Sequence, residues 1–162
     1  MSSLYFEDLQ AGFRFETRSA TLSEAQIIDF AFQYDPQSIH IDVHAAARSP
    51  FGGIIASGLH TMAVACRLIQ QDKPWAGAGL GSPGIDDARW LQPVRPGDSL
   101  RVVVEVRAVR ASASRPDRGI VQLHHAVHNQ TGSLVMTYVL SEFVARRSAG
   151  ASASPPPSSR GS

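Results

Sequence analysis

Gly58-Leu59-His60-Thr61-Met62-Ala63-Val64-Ala65-Cys66-Arg67-Leu68-Ile69-Gln70-Gln71 is the stretch on which the fold turns. Its apolar residues fall on nearly every side of a helical projection, the pattern of a helix covered by other structure. Downstream of it the period of the apolar pattern changes. Residues 85–91, 100–109, 120–129 and 134–145 read as strands, with Leu100, Val102, Val104 and Val106 on one face and Arg101, Glu105 and Arg107 on the other. Asn129-Gln130-Thr131-Gly132 is a hairpin turn joining the last two. Upstream, residues 13–21 alternate weakly as a strand. Ser23 with Gln26 forms a capping box that opens a helix carrying Ile27, Ile28, Ala31 and Phe32 at helical spacing. Asp35-Pro36 ends that helix, because the residue before proline is pushed out of the α region. A helical turn over residues 43–48 precedes the glycine-punctuated run Phe51-Gly52-Gly53-Ile54-Ile55-Ala56-Ser57-Gly58. The order of strand, helices and then long antiparallel strands predicts an α+β fold. One buried helix lies against a curled antiparallel sheet of at least five strands.

Composition narrows the function. The 162 residues are 43% hydrophobic and 18% charged, and 15 basic against 14 acidic side chains leave a net charge of +1. That balance gives no electrostatic basis for binding nucleic acid or an anionic membrane. The single cysteine, Cys66, excludes an internal disulfide and a multi-cysteine zinc site. No apolar run approaches the roughly 18 residues that cross a bilayer, and the first residues lack the basic and apolar regions of a secretory signal. A cytoplasmic protein is expected. Residues 148–162, rich in Ala, Ser and Pro, cannot offset their ordering entropy by burial and are expected to form a disordered tail after a single domain over residues 1–147.

Two segments carry chemistry. In Tyr34-Asp35-Pro36-Gln37-Ser38-Ile39-His40-Ile41-Asp42 an acid at a helix terminus is followed five residues later by a histidine, across a turn that can aim both at one spot. A carboxylate beside an imidazole is a general acid/base pair near neutral pH, although an Asp-Pro turn with a capping histidine has the same spelling. In the second segment, Ser57 as N-cap makes Gly58 the first helical residue. Its N–H then has no intrahelical partner, sits at the positive helix end and is not shielded by a Cβ. A carbonyl oxygen developing negative charge can dock there.

Other candidates are weaker. Cys66 lies among Met62, Ala65 and Ile69, the setting of an inert core thiol. His124 and His125 point to opposite faces of a strand, and His124 and His128 lie roughly 13 Å apart, so they do not chelate one ion unaided. Ser57 and His60 lack a carboxylate to orient the imidazole. Trp75 and Trp90 read as packing residues, and Arg89, Arg95 and Arg118 as surface charges able to meet phosphates.

Taken together the two segments resemble the MaoC-type dehydratase / (R)-specific enoyl-CoA hydratase family of the hot-dog fold. Its motif runs roughly G-D-x-N-P-x-H-x-D, followed by Phe-Gly-Gly and a His-Gly or Ser-Gly step into the central helix. Leu91-Gln92-Pro93-Val94-Arg95-Pro96-Gly97-Asp98 is similar to the family's P-V-x-x-G-D turn. The chain departs at Tyr34, Gln37 and Ser38, where many members have Gly, Asn and Pro. The resemblance implies Asp35 and His40 as a catalytic dyad and the Gly58 N–H as oxyanion donor. Gln37, Ser57, Phe51 and Gly53 are expected on the substrate side. It implies a hydro-lyase that hydrates enoyl thioesters to 3-hydroxyacyl thioesters or runs the reverse dehydration. The substrate is an acyl-CoA or an acyl-carrier-protein thioester, the assembly a homodimer or larger, and neither metal nor cofactor is needed. An acyl-CoA thioesterase and a non-catalytic acyl-binding module are the alternatives on the same fold.

Overall fold

The computed structural model describes residues 3–147, and the tail expected over 148–162 lies outside them. The elements are β1 (Arg14–Glu16), β2 (Ala20–Thr21), α1 (Glu24–Tyr34), α2 (Ser38–Ile41), α3 (Val43–Arg48), α4 (Gly58–Asp72), β3 (Gly84–Trp90), β4 (Ser99–Ala111), β5 (Arg118–His128) and β6 (Leu134–Ala145). Six strands form one open antiparallel sheet in the order β1-β4-β5-β6-β3, with β2 also paired to β4. The fold is the α+β arrangement read from the sequence.

The inner face of β4 is the one the alternation predicts: Leu100, Val102, Val104 and Val106 are buried, against Val121, Leu123 and Val127 of β5 and Val64, Ala65 and Leu68 of α4. Each valine or leucine among them contributes about 1.5–3 kcal/mol when taken from water. A 3-10 turn at Phe6–Asp8 covers one end of β5, where the Phe6 ring leaves no room for a Cβ at Gly119.

Three expectations change. The strand over residues 13–21 is split into β1 and β2. Thr17 Oγ1 accepts the Val102 N–H at 3.0 Å, and the Arg18 backbone N–H turns away to the Asp72 carboxylate at 2.6 Å. Phe32 is not a core residue but 62% exposed; only Ile27 and Ala31 of α1 are fully buried. And α4 is not covered on all sides: His60, Thr61, Val64, Ala65, Leu68 and Ile69 are buried, whereas Leu59 is 53% exposed and Ala63 is exposed on the outer face.

Candidate active site

The capping box of α1 forms as spelled. Ser23 N–H donates to Gln26 Oε1 at 2.9 Å and Gln26 N–H donates to Ser23 Oγ at 3.2 Å. The helix runs to Asp35, its C-cap, whose dihedrals leave the helical region before Pro36. His40 does not sit in an open loop but in the short helix α2, followed by α3, where the Asp42 carboxylate caps the backbone N–H groups of His44 and Ala45 at 2.9 Å.

This path brings His40 Nε2 to 3.5 Å from Asp35 Oδ2. The His40 ring is buried, and its Nδ1 lies 2.7 Å from the Ile55 carbonyl oxygen. A carbonyl only accepts, so Nδ1 carries the hydrogen, and in the neutral ring the lone pair of Nε2 faces the carboxylate. Asp35 is held from two more sides. The Ser57 hydroxyl donates to Oδ2 at 2.6 Å and the Gln37 amide donates to Oδ1 at 2.8 Å. Those two donors, Ser57 foremost, hold the Asp35 carboxyl below the usual aspartate range and keep it ionised.

Ser57 is also the N-cap of α4, accepting the Leu59 N–H at 3.2 Å, so one hydroxyl ties the carboxylate to the helix start. Gly58 is the first helical residue, with its N–H free of any intrahelical partner. Trp90 on β3 donates its indole N–H to the Gly58 carbonyl at 2.9 Å. The ring lies so close that a Cβ at Gly58 would stand 2.6 Å from Trp90 Nε1. Glycine is required there by close approach, not by dihedral.

A pocket of about 320 Å³ opens beside this group. Its wall includes His40, Gly58 and Thr61, with Phe51, Ile55, Trp90, Leu91 and Val94 as its apolar part. Asp35 is not in this wall and meets it through His40, 3.5 Å away. Of the substrate-side residues expected from the sequence, only Phe51 is in the wall. Gln37 and Ser57 reach Asp35 instead, and Gly53 lies at φ +158 beside Arg95, whose guanidinium donates to the Phe51 carbonyl at 2.7 Å and holds that loop. Arg89 and Arg118 pair with Asp87 and Asp117. Trp90, expected as a packing residue, is 51% exposed and forms part of the pocket wall; nothing in a lone exposed tryptophan's spelling announces that it will lie on a glycine 32 residues away. No cluster of metal-ligating side chains exists among the described residues, and none of their helices is long and apolar enough to cross a membrane.

The model of the MaoC-like domain matches residues 8–129. The chain belongs to the MaoC-like dehydratase family. A MaoC-like dehydratase from Rhodospirillum rubrum is 39% identical, with a TM-score of 0.85 over 90% of this chain and 99% of that one. The 3-hydroxybutyryl-CoA dehydratase of Methylorubrum extorquens is 38% identical over 104 residues, 64% of either chain, and the uncharacterized protein YdeM of Bacillus subtilis is 29% identical over 140 residues, 86% of this chain and 98% of its own. The open sheet with α4 against it is the hot-dog fold of this MaoC-like family.

Proposed function

We propose that the chain is a hydro-lyase that adds water across the C2–C3 double bond of 2-enoyl-CoA thioesters and removes it from 3-hydroxyacyl thioesters. The observation that carries the reading is the 3.5 Å approach of Asp35 to His40 Nε2 beside a pocket whose wall includes both His40 and Gly58. The similarity to a 3-hydroxybutyryl-CoA dehydratase supports it.

Two acceptors facing each other, an ionised carboxylate and the lone pair of a neutral imidazole, hold both hydrogens of one water. As the water oxygen bonds to C3, one O–H proton passes to the dyad. The electrons of the double bond move through C2 onto the thioester oxygen. That enolate-like oxygen takes the Gly58 N–H at the positive end of α4, an interaction worth about 3 kcal/mol of barrier in comparable sites. The dyad then returns a proton to C2. In balance one O–H bond and the C2–C3 π bond break, and C3–O and C2–H bonds form, with no electrons supplied from outside.

Asp35, His40 and Gly58 are the catalytic residues of this reading. Gln37 and Ser57 are positioning residues that keep Asp35 ionised and aimed, and Phe51 and Trp90 border the acyl thioester. A second copy of the chain covers Leu59 and the exposed apolar rim of the pocket, Phe51, Trp90 and Leu91, giving a homodimer. The test is the loss of enoyl-thioester absorbance on crotonyl-CoA and longer enoyl-CoAs, for wild type and for Asp35→Asn and His40→Gln. Turnover by wild type, lost in both variants, is expected. No turnover on a broad acyl panel defeats the reading.

A further inference from the structure

His60 lies on α4 two residues past Gly58, outside the wall of the pocket that takes Gly58 and Thr61. It is 8% exposed, and its Nδ1 has no hydrogen-bond partner among the described residues. The other such nitrogen among them is Nδ1 of His125, whose ring stacks on Tyr138 of the sheet with centroids 4.2 Å apart. Burial, and after it the charge of Arg67, holds the His60 imidazole below its usual range, so the ring is neutral near pH 7. A neutral ring with an unmatched buried nitrogen is not held in place by its hydrogen bonds. What it offers is a flat face. The ring stacks on Phe30 of α1, with centroids 4.4 Å apart and planes 4° from parallel.

The stack matters because α1 is lightly seated elsewhere. Only Ile27 and Ala31 of that helix are fully buried, whereas Phe32 and Tyr34 are 62% and 65% exposed. A cavity of about 290 Å³ lies between the two helices, with Gln26, Phe30 and Tyr34 on the α1 side and His60, Val64 and Arg67 on the α4 side. Two fixtures tie the last turn of α1 to α4 across this gap. One is the Phe30–His60 stack, extended by the Tyr34 ring 4.9 Å from that of Phe30. The other is the Ser57 hydroxyl on Asp35 Oδ2 at 2.6 Å. Ser57 and His60 are three residues apart, so the fixtures sit about one helical turn from each other. Tyr34 is the last residue of α1 and Asp35 its C-cap, so both fixtures bear on the dyad's carboxylate.

We propose that His60 is a positioning residue of the dyad: its stack on Phe30 sets the end of α1 so that Asp35 stays within reach of Ser57 and of His40 Nε2. The effect on turnover rests on the hydratase reading. A single hydrogen bond from Ser57 fixes a point on the carboxylate but leaves α1 free to pivot about it. The Gln37 amide on the other oxygen does not remove that freedom, because Gln37 travels on the same turn as Asp35. The stack supplies the second fixed point, on a helix that does not move with the turn.

The experiment compares His60→Leu, which keeps apolar bulk without a flat face, with His60→Phe, which keeps both. Phe30→Leu removes the same stack from the α1 side. In each leucine variant kcat on crotonyl-CoA is expected to fall about fivefold. KM should stay unchanged, because His60 is not in the pocket wall. The Asp35 midpoint, read by carbon NMR of its carboxyl, is expected to rise toward the ordinary 3.8 as the Ser57 bond loosens. His60→Phe is expected to restore both values. Wild-type kcat with an unmoved Asp35 midpoint in either leucine variant overturns the inference, even where the unfolding temperature drops, since that pattern marks packing alone. A His60→Phe variant as impaired as His60→Leu overturns it too. The midpoint is read without substrate, so absence of turnover in wild type defeats the hydratase reading while the NMR comparison still decides the positioning role.

Discussion

Each end of α4 lies against a carboxylate, but in opposite electrostatic circumstances. At the N-terminal end Asp35 is kept ionised by two uncharged donors and lies 3.5 Å from Nε2 of His40, which lines an open pocket. At the C-terminal end Glu142 is neutralised by Lys73, and His125 is pressed deep into its neutral form by burial. The first arrangement leaves proton-accepting capacity unspent; the second has none left. The chemical kind of the side chains therefore does not decide which end can move a proton. The partner does: hydroxyl and amide donors preserve a charge for use, whereas an ammonium cancels it.

Crossed substitutions should separate the two ends most sharply. Asp35→Asn is expected to reduce kcat/KM on the order of 10³-fold, ~4 kcal/mol of barrier, while unfolding within about 1 kcal/mol of wild type. Lys73→Ala strands a buried carboxylate and should cost about 3–5 kcal/mol in denaturant unfolding. If the stability loss belongs to Asp35→Asn instead, the contrast is wrong.

The pH dependence of stability probes the second end. His125 has a lowered folded-state pKa, so between about 6.5 and 3 the unfolded chain binds a proton that the folded chain does not, and stability falls as pH drops through that window. His125→Phe keeps the stack on Tyr138 and should remove about 2 kcal/mol of the loss between pH 6.5 and 5. Identical slopes for variant and wild type would place the buried charge balance elsewhere.

Gly58→Ala tests the close approach of Trp90. The added Cβ displaces the indole, so tryptophan fluorescence should shift and kcat/KM should fall by about tenfold, or ~1.4 kcal/mol; an unchanged emission spectrum contradicts the contact. The smallest effect is expected from Ser57→Ala, which removes both the cap of α4 and the first donor to Asp35. About 1 kcal/mol of stability should be lost. The Asp35 midpoint, followed by carbon NMR of its carboxyl, should rise toward the ordinary 3.8. The sign comes from the lowered pKa: the stability that Asp35 contributes is present above the ordinary carboxylate range and disappears as pH falls through its own midpoint.

Much of this contrast is legible in the chain only at its N-terminal end. Asp35, His40, Ser57 and Gly58 lie in two short segments whose caps and turns are local, so spelling and geometry agree. The capping box of α1 and the inner face of β4 are local in the same sense. Lys73 and Glu142 are 69 residues apart and meet only because β6 lies under the end of α4. No periodicity encodes that meeting. Phe32 and Leu59 follow the apolar pattern of a helix yet face outward, because a helical projection gives the spacing of a face but not what covers it. Trp90 escapes a reading of the chain for a related cause: its partner is a glycine, which presents no side chain to anticipate.

The most direct test of the proposed water addition is the fate of solvent oxygen. Wild type incubated with a 2-enoyl-CoA in ¹⁸O-labelled water is predicted to give a 3-hydroxyacyl-CoA labelled at C3, with the thioester intact and no free thiol. Label appearing in a free carboxylate together with released CoA, or recovery of unlabelled enoyl-CoA alone, contradicts the account.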